Sequence, residues 1–437
     1  MKHTKNEDSG MVMKLTLFAN KIASQRYIIA IRDAFASTIA ITIVAAFFLL
    51  VNNVLLNPTT GLLKNMPGRE LISEISIQAY NGTLGILGLL VTFLIGYRLA
   101  KTYDLEGSVE GIIAVASYVA VVPNVLSVYT TAGKTVDASG LLTQTFTSSS
   151  AMLLGIIAAL TSVTLLAKLY KIKQLKITMP ESVPPAVTKS FNSLIPAFIV
   201  ISLFATLEVA IRHLSGMTVP DLVIKILQTP LIGGFQTLPG ILLYVFLATF
   251  VFVFGIHGAF VFGAISSPIL LTSLQQNIDA INLGQPAPNI VTGPFLDVYV
   301  YMGGGGTMIC LVIALLIASK RSDERMIAKI GGVSSLFNIS EPIMFGLPVV
   351  FNPIYAIPFV IVPMVSTTLA YLATSFGLVN PTYILVPWVT PPVLSGYLAT
   401  AGDFRASLLQ LFIIAIGVLI YLPFVIISNR SEKLKEH

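Results

Sequence analysis

Residues 330–349 read IGGVSSLFNISEPIMFGLPV, and how this stretch is read decides the fold. It is apolar enough to sit at membrane depth. Asn338, Ser340 and Glu341 are polar, however, and Pro342 follows them directly. Proline has no backbone N–H and clashes with the preceding turn, so a helix cannot run smoothly through this point. Irregular backbone inside a bilayer is tolerated only where protein or a watery cavity satisfies its polar groups. The stretch therefore reads as a re-entrant or discontinuous helix, the place where a transporter holds its cargo. Residues 257–296 show the same persistence of apolar residues broken by Gly, Pro, Asn and Ser.

The rest of the chain supports a membrane setting. Hydrophobic residues make up 55% of the 437 residues and charged ones 11%. A soluble domain carries about a quarter charged residues, and so few charges cannot cover a water-facing surface of this size. A spanning helix needs about 20 mostly apolar residues. Candidate spans are 34–54, 76–99, 109–129, 149–168, 190–212, 239–260, 298–319, 350–376 and 404–428. The chain thus reads as an all-α polytopic membrane protein of about ten transmembrane helices plus one or two re-entrant hairpins.

Basic residues gather in cytoplasmic loops. Lys14, Lys21, Arg26 and Arg32 precede the first span, and no small-residue cleavage site follows it, so it reads as a retained helix. Lys168, Lys171, Lys173 and Lys176 end the fourth span, Lys320, Arg321, Arg325 and Lys329 follow the seventh, and Arg430, Lys433 and Lys435 close the chain. Both termini are expected on the cytoplasmic side of the membrane. The loop 169–189 is basic, then rich in proline, and forms the main internal boundary. The expected division is a cytoplasmic segment over 1–33, an N-terminal bundle over 34–180, a long helix and interfacial linker over 181–238, a C-terminal bundle over 239–428 and a tail over 429–437.

Ionisable residues at membrane depth are costly and are functional candidates by default. They are Glu208, Arg212, His257, Asp297 and Glu341. Glu341, beside broken backbone, can accept hydrogen bonds from sugar hydroxyls or act as a general base. His257 lies between Gly255 and Gly258, which permit close approach of backbone or ligand. Asp297 precedes Tyr299, Tyr301 and the run Gly303–Gly306 before Thr307. That run serves either helix packing or site lining. It is not a phosphate loop, because no Lys-Ser/Thr pair follows. Glu208 and Arg212 are spaced as an ion pair on one helix face. Trp388, the only tryptophan, is either an interfacial anchor or a platform for a sugar ring. Cys310 is the only cysteine, which excludes an internal disulfide and a CxxC metal framework. No soluble catalytic motif and no nucleotide-binding glycine motif is present, and no nucleic-acid partner is expected.

Together these segments resemble the lactose/cellobiose/chitobiose family of phosphotransferase-system membrane components, enzyme II domain C. The matching pieces are FGIHGA at 254–259, PFLDVYVYMGGGGT at 294–307, NISEPIMFGLPVVFNP at 338–353 and VPWVTPPVLSGYLATAGDFRA at 386–406. The resemblance implies ten spans with two re-entrant hairpins, a homodimer formed mainly by the N-terminal half, and a disaccharide site in the C-terminal half. It also implies the reaction: a phosphocysteine on a separate domain B passes its phosphoryl group to the sugar's 6-hydroxyl. By match to these motifs, Glu341 and His257 would hold the reacting end. Asn338, Ser340, Gly258, Asp297 and Thr307 would bind or shape the pocket, and Trp388 would stack on or border it. Cys310 lies in an apolar span with no anion-binding loop, so domain B must be another chain. Neither a cofactor nor a metal ion is implied. Two positions depart from the pattern: Ser340 stands where Asn is common, shortening the side chain beside Glu341, and Phe404 stands where Trp is common.

A proton-coupled secondary sugar transporter is the alternative, since intramembrane Glu and His suit proton relay as well. The discriminating feature is the product, free sugar or sugar phosphate. A non-transporting receptor gives no reason for broken helices carrying polar residues.

Overall fold

The computed structural model describes residues 21, 24–58, 61–129, 134–177, 185–347, 349 and 352–433. Lys14, Lys435 and residues 178–184 of the proline-rich boundary loop lie outside the described residues. The helices are α1 (Arg26–Ser37), α2 (Ile39–Leu50), α3 (Arg69–Asn81), α4 (Leu87–Lys101), α5 (Ser108–Ala120), α6 (Met152–Leu169), α7 (Pro185–Ser215), α8 (Leu238–Val253), α9 (Gly258–Asn282), α10 (Met308–Ala318), α11 (Ser322–Leu336), α12 (Glu341–Gly346), α13 (Pro353–Ser375), α14 (Leu394–Ala399) and α15 (Phe404–Lys433), with further short turns between them. Among the described residues a single hairpin interrupts them: β1 (Val125–Tyr129) pairs antiparallel with β2 (Thr135–Ser139).

Among the described residues, five helical segments are long and apolar enough to cross a membrane: Arg69–Lys101, Ser149–Leu169, Phe191–Ser215, Ile354–Ser375 and Phe404–Arg430. Two bent pairs raise the number to seven if each is one span, Arg26–Ser37 with Ile39–Leu55 (44°) and Val219–Phe235 with Leu238–Val253 (79°). Large apolar side chains on these helices point outward, among them Phe198, Leu214 and Leu419.

Two expected spans come out differently. The span at 109–129 ends at Ala120 because Pro123 and Asn124 stop the helix, and the β-branched run that follows pairs as a hairpin, clipped by Ser127 Oγ donating to Asp137 at 2.6 Å. The span at 298–319 starts as a π-helical turn, Leu296–Val300, breaks in the glycine run, and resumes only as the 11-residue α10. The stretch 257–296 contains one continuous 25-residue helix, α9, with Pro268 inside it.

The chain divides into two compact units. One holds Ser24–Ile41 and Asn81–Ile232. Here α4, α5 and α6 pack together around Ile113, Tyr118, Val121, Leu154 and Leu166, and α7 adds Val200 and Phe204. Glu208 and Arg212 form the expected ion pair at 3.8 Å, and Glu208 also accepts from the Val219 backbone N–H at 2.8 Å, so the carboxylate closes the end of α7 onto the next turn.

The other unit comprises Thr42–Tyr80 and the chain from Gly233. In it α15 packs on α10 and α13, and α13 on α8. A buried carboxylate ties these helices at one end. Glu324 is 2% exposed and accepts from Ser319 Oγ (2.6 Å), Ser428 Oγ (2.7 Å) and Tyr355 OH (2.8 Å), with the Arg321 guanidinium 3.7 Å away. An amide knot secures another part: Asn277 donates to the Asn289 and Thr382 carbonyls and accepts from Asn289 N–H, while Thr292 and Thr382 share a hydroxyl contact of 2.6 Å. Buried polar groups need such partners, since a bare one costs about 1–3 kcal/mol.

Candidate functional site

The site is built where four chain segments of the second unit are broken. The first break lies between α8 and α9. Helix α8 ends at Val253, Gly255 adopts φ +80°, and α9 starts at Gly258 with His257 at its N-cap position. A side chain on Gly258 would collide with the Ala248 carbonyl, so only glycine lets α9 begin this close to α8. The His257 ring is held 4.5 Å from that of Phe252, tilted by 47°.

The second break is the glycine run. Gly303, Gly304 and Gly306 adopt φ of +82°, +94° and +76°, a backbone path open to glycine and strained for other residues. Each turn residue is seated against a specific neighbour. Gly305 faces the Phe252 ring, Gly306 faces Phe359 and accepts from Tyr421 OH at 2.7 Å, and the Gly303 carbonyl accepts from Ser335 Oγ at 3.1 Å. Phe252 thus touches both His257 and the glycine turn.

The third break precedes α12. Helix α11 ends at Leu336, Asn338 turns the chain with φ +60°, and α12 restarts at Glu341 with Pro342 behind it. The Ser340 carbonyl accepts from Ile343 and Met344, which starts the new helix, and Ser340 itself is buried against Gly304. Glu341 is exposed at the head of α12. Glu341 and His257 thus each stand at the start of a helix that follows a break.

The fourth break is the proline-rich loop. Trp388 stands 47% exposed, in a turn closed by Thr390 N–H donating to the Pro387 carbonyl at 2.8 Å. The Asn338 amide reaches this loop, donating to the carbonyls of Trp388 (2.5 Å) and Thr390 (3.1 Å), while its Oδ1 accepts from Gly303 N–H at 2.7 Å.

Other candidate residues are placed differently. Thr307 is fully buried and donates to the Val300 carbonyl at 2.7 Å, so its hydroxyl holds the turn in shape. Asp297 lies half-buried in the π-helical turn. Phe252 and Ser335 were not singled out in the sequence. The aromatic run ahead of His257 was the available signal for Phe252, and Ser335 carried none.

Comparison with known proteins places this geometry. The family model described as "Phosphotransferase system, EIIC" matches residues 32–363. The chain belongs to the EIIC family of the phosphotransferase system. Among its EIIC relatives, the oligo-beta-mannoside-specific EIIC component of Bacillus subtilis is 33% identical over 97% of this chain and 94% of the relative. The cellobiose-specific EIIC component of Lactococcus lactis is 30% identical over 95% and 96%. A lactose-specific EIICB component of Staphylococcus haemolyticus is 28% identical over 93% of this chain but only 68% of its own length. The crystal structure of the transporter ChbC, the IIC component of the N,N'-diacetylchitobiose-specific system, superposes with a TM-score of 0.87 at 31% identity, covering 96% of this chain and 98% of ChbC. An EIIC chain of this kind is a membrane-embedded sugar-transport component, and the phosphotransferase reading of the sequence holds at that level.

Proposed function

We propose that this EIIC chain imports a β-linked disaccharide of the cellobiose, chitobiose or lactose type and presents its 6-hydroxyl to a phosphocysteine on a separate domain B. The observation that carries the reading is that Glu341 and His257 both stand at breaks between helices in a chain so apolar. The relatives' substrates support the sugar class, and the lactose-specific EIICB relative, longer than this chain, supports a domain B partner.

In this reading the 6-hydroxyl attacks phosphorus, the S–P bond breaks and an O–P bond forms. The cysteine leaves as thiolate and the hydroxyl proton passes to the Glu341 carboxylate. His257 orients the same hydroxyl, and Gly258 leaves room for it. Both contacts strengthen in a low-dielectric pocket. Trp388 offers a flat apolar face to the pyranose ring. Ser340 and Thr307 shape the pocket wall, and Asp297 takes up a more distant hydroxyl. The N-terminal bundle over 34–180 forms the homodimer scaffold, 181–238 links it, and 239–428 carries the sugar. Ten spans and two re-entrant hairpins complete the fold in lipid, with both termini in the cytoplasm.

The chemical form of the transported sugar tests this. Cells expressing the chain with its soluble partners receive a radiolabelled β-disaccharide panel, and accumulated label is separated by anion exchange. Anionic label that disappears without domain B is the expected result. Neutral label that accumulates without domain B and collapses with a protonophore establishes the proton-coupled transporter instead.

A further inference from the structure

We propose that Asn338 is a positioning residue that fixes Trp388 relative to Glu341, so that the stacking end and the reacting end of the site move as one body. The functional half of this inference rests on the sugar-binding reading above; the structural half does not.

A carboxamide offers two N–H donors and one carbonyl acceptor. In Asn338 both donor contacts go to backbone, to the Trp388 and Thr390 carbonyls, and Oδ1 takes the Gly303 N–H. The side chain thus has no donor left for a sugar hydroxyl. What it does is join three segments that share no sequence neighbourhood: the glycine turn, the link into Glu341 and the Trp388 loop. Asparagine suits the position twice over. It tolerates the left-handed φ of +60° better than most residues, and it alone, at this length, both donates twice and accepts. The loop's other end is fixed independently, by Ser407 Oγ donating to the Val393 carbonyl at 2.6 Å. Asn338 is therefore the link that ties the Trp388 loop to the segment leading into Glu341.

The substitution Asn338→Asp isolates this role. The carboxylate still accepts from Gly303 N–H but has no donor, and it faces two carbonyls. Trp388 is the only tryptophan, so intrinsic fluorescence of the full-length protein in detergent reports this one position. The expected result is a red-shifted emission and stronger acrylamide quenching, together with about tenfold weaker binding of cellobiose, the loss that follows when a hydrogen-bonded link is broken. Asn338→Ala, which adds no charge, is measured beside it, with gel filtration and circular dichroism confirming the fold. Unchanged emission and quenching in folded Asn338→Asp protein overturns the proposal. Weakened binding with unchanged emission overturns it too, by making Asn338 a direct ligand. Loss of fold in both variants leaves only a structural role and overturns it as well. If the wild-type protein binds no disaccharide, the sugar reading fails while the fluorescence result still decides the position of Trp388.

Discussion

Ser340 lies directly against Gly304: a side chain starting on that glycine would come within 2.6 Å of the Ser340 Cβ and 2.8 Å of its hydroxyl and backbone nitrogen. Gly304 also holds φ at +94°. Gly304→Ala therefore meets both backbone strain, about 1–3 kcal/mol, and a neighbour held in place, because Ser340 caps α12. Thermal unfolding in detergent should drop by several degrees relative to wild type, and sugar phosphorylation should fall with it. An unshifted melting curve would show that the turn is looser than described.

Glu341 and Trp388 should separate in an in vitro phosphorylation assay. Glu341→Gln keeps shape but removes the proton acceptor, and positioned general-base catalysis contributes about 10²–10⁴-fold. Trp388→Phe keeps an aromatic face and should lose far less, mainly in apparent affinity. Equal, mild losses in both would remove Glu341 from the proposed role.

Two neighbouring carboxylates offer a contrast in stability. Glu324 is buried with three hydroxyl donors, and breaking such a group's network costs about 3–5 kcal/mol. Asp323, one residue earlier, pairs with Arg321 at 2.5 Å but in an exposed position, where a pair contributes up to about 1 kcal/mol. Ser319→Ala, Tyr355→Phe and Ser428→Ala together should thus destabilise the protein far more than Asp323→Ala, by denaturant or thermal titration. The Arg321 guanidinium, hydrogen-bonded to Asp323, holds its carboxyl below the ordinary range. The small contribution of that pair is present at neutral pH and lost only as pH falls through the lowered value.

Gly258→Val should abolish transport without touching a polar group of the site. The added side chain runs into the Ala248 carbonyl and pushes the start of α9, and His257 with it, away from α8. Sugar uptake and binding checked on membrane-inserted protein should fall together. Retained binding would mean that the approach of the two helices does not set the histidine.

Legibility in the sequence followed the strength of the signal. Long uninterrupted apolar runs were readable: the expected spans 149–168, 190–212 and 404–428 coincide closely with Ser149–Leu169, Phe191–Ser215 and Phe404–Arg430. Where apolar content met proline or glycine, boundaries went astray. The 109–129 run contains enough Val, Leu and Tyr to resemble a span, but Pro123 hands those residues to a hairpin. At the site, the chemical candidates were visible because Glu, His and Trp are rare in such a chain. Their relations were not. That Phe252 bridges His257 and the glycine turn and that Asn338 braces the Trp388 loop depend on segments far apart in the chain or on backbone groups that have no sequence identity.

Cys310, buried beside Ile414 and pressed against the backbone of Gly417, is the one thiol in 437 residues. A maleimide in the medium has nothing to react with on the native protein. Single cysteines can therefore be introduced at loop positions in the unaltered chain, and membrane-impermeant labelling of each, from one face of a vesicle or the other, would read out sidedness loop by loop without first building a cysteine-free background.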